Sequence, residues 1–242
     1  MDRAGRTAII TVSTILSTIG FGMMAICLSF LDRHGRVPHK VARIWARSIL
    51  MVSGVPVRVE GLAHVDLDRP AIYMANHQSL FDIPVLLAHL PVQFRWLAKA
   101  ELFTIPLFGY AMRRAGYISI DRSDRKSAFQ SLKRAALAIR EGASVLIFPE
   151  GTRSADGSIG PFKKGGFILA VDAGVPVVPV VVHGTRAIMP KQTFRIAGGS
   201  VSVRLHPPVM AGDYSRRTKD ALIHRIRAVI MTSFNADGIE AP

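Results

Sequence analysis

Three short, nearly uncharged apolar runs limit the folds open to this chain more than any other feature. They are residues 71–75 (AIYMA), 144–148 (SVLIF) and 177–183 (VVPVVVH). Runs of this length, rich in β-branched residues, are too short for helices and read as strands buried on both faces. Between them the apolar period changes to that of a helix. Residues 126–141 place Phe129, Leu132, Ala136 and Ile139 on one face and Lys126, Lys133 and Arg140 off it, and Gly142 follows as a helix terminator. Residues 105–114, 165–172 and 218–234 read as further helices, and residues 57–60 and 117–120 as further strands. Residues 201–205 alternate in the manner of an edge strand. Strands alternating with helices predict an α/β domain with a mixed, largely parallel sheet flanked by helices.

The N-terminal region has a different character. Residues 7–31 contain no charged side chain, and 25 residues are enough to cross a hydrocarbon core of about 30 Å. Thr11, Ser13, Ser17, Thr18, Gly20, Gly22 and Ser29 interrupt the run, so three structures compete for it: a transmembrane or re-entrant anchor, a signal peptide, or a buried core helix. The run is longer than a signal-peptide core and no small-residue cleavage site follows it. Arg33, Arg36, Lys40, Arg43 and Arg47 flank it, which places the body of the protein on the cytoplasmic face of a membrane by the positive-inside tendency. Val41, Ile44, Trp45, Ser48, Ile49 and Val52 recur at helical spacing and suit either an interfacial helix or one packed on the domain. Gly54 and Pro56 close the region. The expected division is residues 1–56 as membrane anchor and interfacial helix, and residues 57–242 as the α/β domain.

Charge narrows the partners. Lys and Arg number 31 against 17 Asp and Glu, a net +14, which suits nucleic acid or an anionic membrane surface. A mean hydropathy of +0.28 and few aromatics, not interleaved with basic residues, favour the membrane over nucleic acid. Cys27 is the lone cysteine, so no intrachain disulfide or cysteine metal cluster can form.

Ligands of open α/β sheets bind beyond the carboxyl ends of the strands, and polar residues follow these runs. Asn76-His77-Gln78-Ser79-Leu80-Phe81-Asp82 follows the first. Pro84 is tolerated only in the first helical turn, so a helix starts near residues 81–83. Across such a turn the His77 and Asp82 side chains can meet, the carboxylate fixing the imidazole tautomer and leaving the other nitrogen as a base. Asp82 as a plain helix cap and His77 as an ordinary loop residue fit the spacing equally well. Asp121-Arg122 and Pro149-Glu150-Gly151-Thr152-Arg153-Ser154 end two other strands, and Lys99 adds a cation. Ser79 suits a turn role better than a nucleophile, and Lys163-Lys164 at a helix start suits a phosphate or a solvated turn.

Taken together, NHQSLFD, KAELF, GYISIDR, FPEGTRS and VPVVPV, in this order over residues 70–185, resemble the glycerolipid acyltransferases, most closely those acting on 1-acylglycerol-3-phosphate. The resemblance implies that His77 and Asp82 are catalytic, and that the blocks holding Arg122 and Glu150 to Arg153 bind a phosphate-bearing acceptor. Arg122 and Arg153 would supply planar donors to the phosphate and Lys99 a point charge. Glu150 is expected to orient an arginine, because a bare carboxylate would repel phosphate. Tyr117 and Ser119 stand where bulkier apolar residues are frequent, which leaves acceptor selectivity open. The implied reaction transfers a long-chain acyl group from acyl-CoA or acyl carrier protein to the sn-2 hydroxyl of lysophosphatidate, with no cofactor and no metal. Alternatives are another acceptor, such as glycerol-3-phosphate, a lysophospholipid or a lyso-aminolipid; hydrolysis at a metal held by His77, Asp82 and Glu150; or lipid binding without catalysis.

Overall fold

The computed structural model describes residues 3–32, 34–121 and 124–237. In chain order the elements are α1 (Arg3–Leu28), α2 (Arg36–Ser53), β1 (Val57–Glu60), β2 (Ile72–Ala75), α3 (Asp82–His89), β3 (Phe94–Lys99), α4 (Phe108–Arg114), β4 (Ile118–Ile120) and α5 (Arg125–Arg140). Then follow β5 (Ser144–Ile147), α6 (Gly165–Ala173), β6 (Pro176–His183), α7 (Thr185–Ile188), β7 (Val201–Leu205), β8 (Val209–Met210) and α8 (Lys219–Asp237).

The strands form one sheet in the order β1-β7-β6-β2-β5-β3-β4, with β8 also pairing β6. Neighbours from β6 to β4 run parallel, as do β1 and β7, whereas β7 and β8 pair with β6 antiparallel. The expected mixed, largely parallel sheet is therefore present. The three apolar runs become β2, β5 and β6 at its centre; all four residues of β2 and of β5 are buried. Tyr73, Leu86 and Phe94 pack on one face with Ile10 and Leu50 from the first two helices. Ile72, Val145, Phe167, Leu222 and Ile226 pack on the other.

Three local expectations change. Residues 201–205 were expected at an edge, yet β7 lies between β1 and β6. Its alternation arises because Ser202 and Arg204 are only half-covered, and Arg204 pairs with Glu60 on β1 at 3.0 Å. The expected face of α5 holds for Ile139, which is buried, and for Leu132 and Ala136, which pack half-buried against the core, but Phe129 is exposed and Ser131 and Ala135 are buried beside them. Gly142 does follow the helix with φ +86°, a conformation that costs glycine little. Residues 94–99 carry no alternation that marked them as a strand, because β3 is covered on both faces at its start.

The first two helices need separate treatment. In α2 the buried stripe is His39, Val41, Ala46, Ile49, Leu50 and Ser53, while Ile44 and Val52 are exposed, so this helix packs on the domain. In α1 only Ile10 and Ala25 are buried. Ile9, Val12, Ile15, Leu16 and Met23 all remain exposed. Each large apolar side chain left in water forgoes roughly 1.5–3 kcal/mol of burial. Core packing thus does not account for the composition of α1, and a core helix is set aside; residues 3–31 are long and apolar enough to cross a membrane.

His39 sits fully buried on α2, with Nδ1 3.1 Å from the Tyr117 hydroxyl and its ring edge-on to Phe94. Burial first, then the nearby Arg95 and Arg43, push its pKa from 6.5 to about 3. A depressed folded-state value means that this contribution to stability is complete above about pH 6.5 and is lost as pH falls toward about 3. Unfolding free energy measured against pH should decline through that window. The decline should be shallower in His39→Leu/Tyr117→Phe, which removes the imidazole and the hydroxyl it would strand.

Candidate active site

β2, β5 and β3 lie side by side and parallel, so the segments leaving their carboxyl ends emerge together. The loop after β2 carries His77, and α3 begins with Asp82. His77 Nδ1 lies 2.7 Å from Asp82 Oδ2. The same oxygen accepts the backbone N–H groups of Gln78 at 2.7 Å and Ser79 at 2.9 Å. The other carboxylate oxygen accepts the Thr185 hydroxyl of α7. Asp82 therefore turns back onto the loop that precedes it, and its side chain does not cap α3.

Asp82 is completely buried, and an unsatisfied buried carboxylate would neutralise itself by taking up a proton. Four hydrogen bonds, at about 1.5–3 kcal/mol each for a charged acceptor, offset a desolvation cost of several kcal/mol per ion. The site therefore favours a buried anion whose negative charge faces the imidazole. With Nδ1–H donating to Asp82, Nε2 keeps its lone pair. His77 is 14 % exposed and lines an open cavity of about 470 Å³. Phe148, the residue after β5, stacks on the imidazole at 3.8 Å with the planes 6° apart, and Trp96 packs against Phe148.

Among the described residues Glu150 pairs with no arginine. Its oxygens accept the backbone N–H groups of His77 at 2.8 Å and Gly160 at 2.9 Å. The corrected role is structural: Glu150 ties the loop after β5 to the loop that carries His77. Burial raises its pKa, while those two hydrogen bonds oppose the rise. Ser154 N–H donates to the His77 carbonyl at 2.8 Å and completes the tie. Asn76 fastens the loop to β6, exchanging 2.8 and 2.7 Å bonds with the Val182 backbone.

Gly151, Thr152, Arg153 and Lys99 line the same cavity as His77. Lys99 is exposed and pairs with Glu101 at 2.6 Å, so its charge is partly answered. Arg153 forms no ion pair among the described residues. Arg122 lies outside the described residues. Ser79 is buried, donates to the Met189 carbonyl at 2.7 Å and accepts from Phe81 N–H at 3.1 Å. That geometry is a turn, not a nucleophile. Among the described residues no three His, Cys, Asp or Glu side chains are grouped to hold a metal.

Sequence reasoning missed Thr185 and the stacking role of Phe148. Thr185 lies in the polar H-G-T-R segment that ends β6 and opens α7, so the strand-end rule that found His77 applied there as well. Apart from Thr18 and Tyr117, the rest of the cavity wall is apolar. It includes Gly22 and Ala25 of α1, Trp45 of α2, and Phe108 and Met112 of α4.

Comparisons with known proteins agree with this arrangement. Residues 56–183 match a family model described as Acyltransferase. A chloroplastic 1-acyl-sn-glycerol-3-phosphate acyltransferase of Brassica napus is 38% identical over 209 residues, covering 85% of this chain and 58% of that protein. One from Arabidopsis thaliana is 42% identical over 173 residues, covering 71% and 48%. The chain thus spans about half the length of these two relatives. The human 1-acyl-sn-glycerol-3-phosphate acyltransferase alpha is 34% identical over 196 residues, covering 81% and 69%. The crystal structure of the 1-acyl-sn-glycerophosphate acyltransferase of Thermotoga maritima is similar with a TM-score of 0.82 at 29% identity, covering 100% of this chain and 99% of that one.

Thr185→Val keeps the side-chain shape but removes a donor to a buried charge. Denaturant unfolding should show a loss of about 1.5–3 kcal/mol, and Thr185→Ser, which restores the hydroxyl, should recover most of it.

Proposed function

The chain belongs to the acyltransferase family, and from that premise we propose that it moves a long-chain acyl group from an acyl thioester to the sn-2 hydroxyl of lysophosphatidate, producing phosphatidate. One observation carries this reading. A histidine, its base set by a buried carboxylate, lines a largely apolar cavity that also presents Arg153, which forms no ion pair among the described residues. That combination fits a substrate with a hydroxyl to deprotonate, a phosphate to hold and a hydrocarbon chain to cover.

His77 Nε2 takes the proton of the acceptor hydroxyl as that oxygen bonds to the thioester carbonyl carbon. Asp82 holds the ring and stabilises the imidazolium. The tetrahedral intermediate collapses by breaking the C–S bond, and the proton on His77 passes to the departing thiolate. No covalent acyl-enzyme is needed, because a thiolate leaves readily. Arg153 and Lys99 hold the phosphate, with Arg122 assigned to the same task by its place in the G-Y-I-S-I-D-R block. The donor is acyl-CoA or an acyl carrier protein, both anionic and suited to a chain of net +14.

The exposed apolar residues of α1 favour residence at a bilayer surface, where both lipid substrate and product lie. The basic flank of residues 33–47 puts the catalytic domain on the cytoplasmic side. Residues 1–56 thus act as the membrane-associating part and residues 57–242 carry the chemistry.

Purified protein given lysophosphatidate and a long-chain acyl-CoA should release free thiol and form phosphatidate. His77→Ala should lower kcat by about 10²–10⁴. Ser79→Ala should retain kcat within about tenfold while melting at a lower temperature. Activity that survives in His77→Ala and vanishes in Ser79→Ala would replace direct transfer with an acyl-enzyme route. The cavity wall offers a second check. Ala25→Phe adds bulk to the face of α1 that borders the cavity, and should shift preference toward shorter acyl chains in a competition between thioesters of different length.

A further inference from the structure

A second cavity lies at the opposite end of the sheet, near the amino ends of β3 and β4. It measures about 340 Å³ and shares no lining residue with the cavity around His77. Its walls include Arg36, Arg95, Arg113, Arg114, Asp32 and Glu141. Four guanidinium groups therefore border one small space.

Their charge is oriented and only in part answered, by Asp32 and Glu141 acting on Arg95 through space. Arg95 is 6 % exposed and donates to Gln93 Oε1 at 3.1 Å, to the Phe94 carbonyl at 3.4 Å and to the His34 carbonyl. Arg113 donates to the Phe103 carbonyl at 2.7 Å, and Arg114 to Ser29 Oγ at 2.6 Å and to its carbonyl at 3.1 Å. Every one of these acceptors is neutral. Among the described residues no carboxylate lies within ion-pair distance of the four arginines. Asp32 spends its carboxylate on the N–H groups of His34 at 2.9 Å and Val37 at 2.6 Å, at the start of α2. A guanidinium has five N–H donors, so each of the four retains donors that these bonds do not use. Gly116 lets the buried guanidinium through: a Cβ there would stand 2.9 Å from Arg95 Nε. A desolvated guanidinium without a counterion is costly, and bidentate oxyanions are its best partners.

The surroundings say where such an anion would come from. The Arg114 guanidinium lies over the Phe30 ring at 4.8 Å. Phe30 is 71 % exposed and Leu31 81 % exposed, and both follow directly on α1 with its exposed apolar stripe. An arginine-lined cavity beside a protruding apolar tip matches an amphiphile, with its anionic head in the cavity and its chains along the tip.

We propose that the cavity bordered by Arg36, Arg95, Arg113 and Arg114 is a second site, separate from the catalytic one, which binds the phosphate of an anionic bilayer lipid. The proposal stands apart from the proposed acyl transfer, since it concerns other residues and requires no reaction. It makes this end of α1 a headgroup-reading foot that holds the molecule on anionic membranes.

Flotation of the full chain with phosphatidylcholine vesicles, with and without phosphatidylglycerol, tests it. Phosphatidylglycerol supplies the phosphodiester without being the proposed acyl acceptor. Arg36→Gln/Arg113→Gln changes two rim residues and should weaken binding to phosphatidylglycerol vesicles by about tenfold or more, with binding to pure phosphatidylcholine unchanged. Arg217→Gln/Arg225→Gln removes the same charge from exposed positions elsewhere and should alter binding by less than about twofold. Equal losses in the two variants would overturn the site and leave only general attraction. No loss in either would mean that the arginines serve only to hold backbone carbonyls. If inorganic phosphate raises the melting temperature of the wild type but not of Arg36→Gln/Arg113→Gln, and vesicle binding is alike in both, the site takes a free anion and the lipid assignment fails. Should the double variant melt early, Arg36→Glu carries the same comparison, because the Arg36 side chain makes no hydrogen bond among the described residues.

Discussion

The buried carboxylate of Asp82 is the group on which the site depends. Removed from water, it is satisfied only because four donors converge on it, three from the loop just before it and one from far along the chain. His77, Gln78 and Ser79 approach from the loop after β2, and Thr185 from the start of α7. The carboxylate therefore closes a loop, joins two strand ends and sets a histidine tautomer in one act. Glu150 repeats the device on the other side of His77, using the backbone N–H groups of His77 and Gly160. Between them the histidine has little freedom to turn, and the stacked Phe148 ring removes more. In the proposed reaction, a base held this way would need no reorganisation when the hydroxyl arrives.

The same sheet that brings the strand ends together separates two kinds of surface. At the carboxyl ends, His77 and Arg153 border an apolar cavity closed in part by α1 and α2. At the amino ends, arginines from β3 and α4 and from the turn into α2 meet around a polar one. Helix α1 reaches both regions, giving Gly22 and Ala25 to the first and leading into Phe30, over which the Arg114 guanidinium lies beside the second. If the chain works on a bilayer lipid as proposed, its exposed apolar stripe would supply non-directional attachment and the arginines at one end an orientation.

Much of the site was legible because its parts are local. The five-residue interval between His77 and Asp82, with Pro84 placing the helix start, already required a turn in which the two side chains could meet. The polar segments ending two other apolar runs named Gly151, Thr152 and Arg153 as cavity residues. What failed had a common physical cause. Glu150 was expected beside an arginine because a bare carboxylate would repel a phosphate, yet its burial lets it take the donors brought within reach by the fold, and here these are backbone N–H groups. Phe129 and residues 201–205 were misplaced because a periodic pattern fixes which residues share a face but not which neighbour covers that face. Thr185 went unread because its partner is 103 residues away.

By itself the sequence determined most of the strand and helix order, the turn across which His77 and Asp82 could meet, the resemblance to the family, and that residues 7–31 are uncharged and long enough to cross a membrane. Each follows from short-range chemistry: side-chain period, turn geometry, and the length of uncharged chain. Only the tertiary structure decided that Asp82 is satisfied by Thr185, that Glu150 braces the His77 loop, that α2 packs on the domain, and that four arginines share a cavity away from the catalytic one. Those outcomes depend on which distant groups are brought within hydrogen-bond reach once strands pair, and no local pattern encodes that distance.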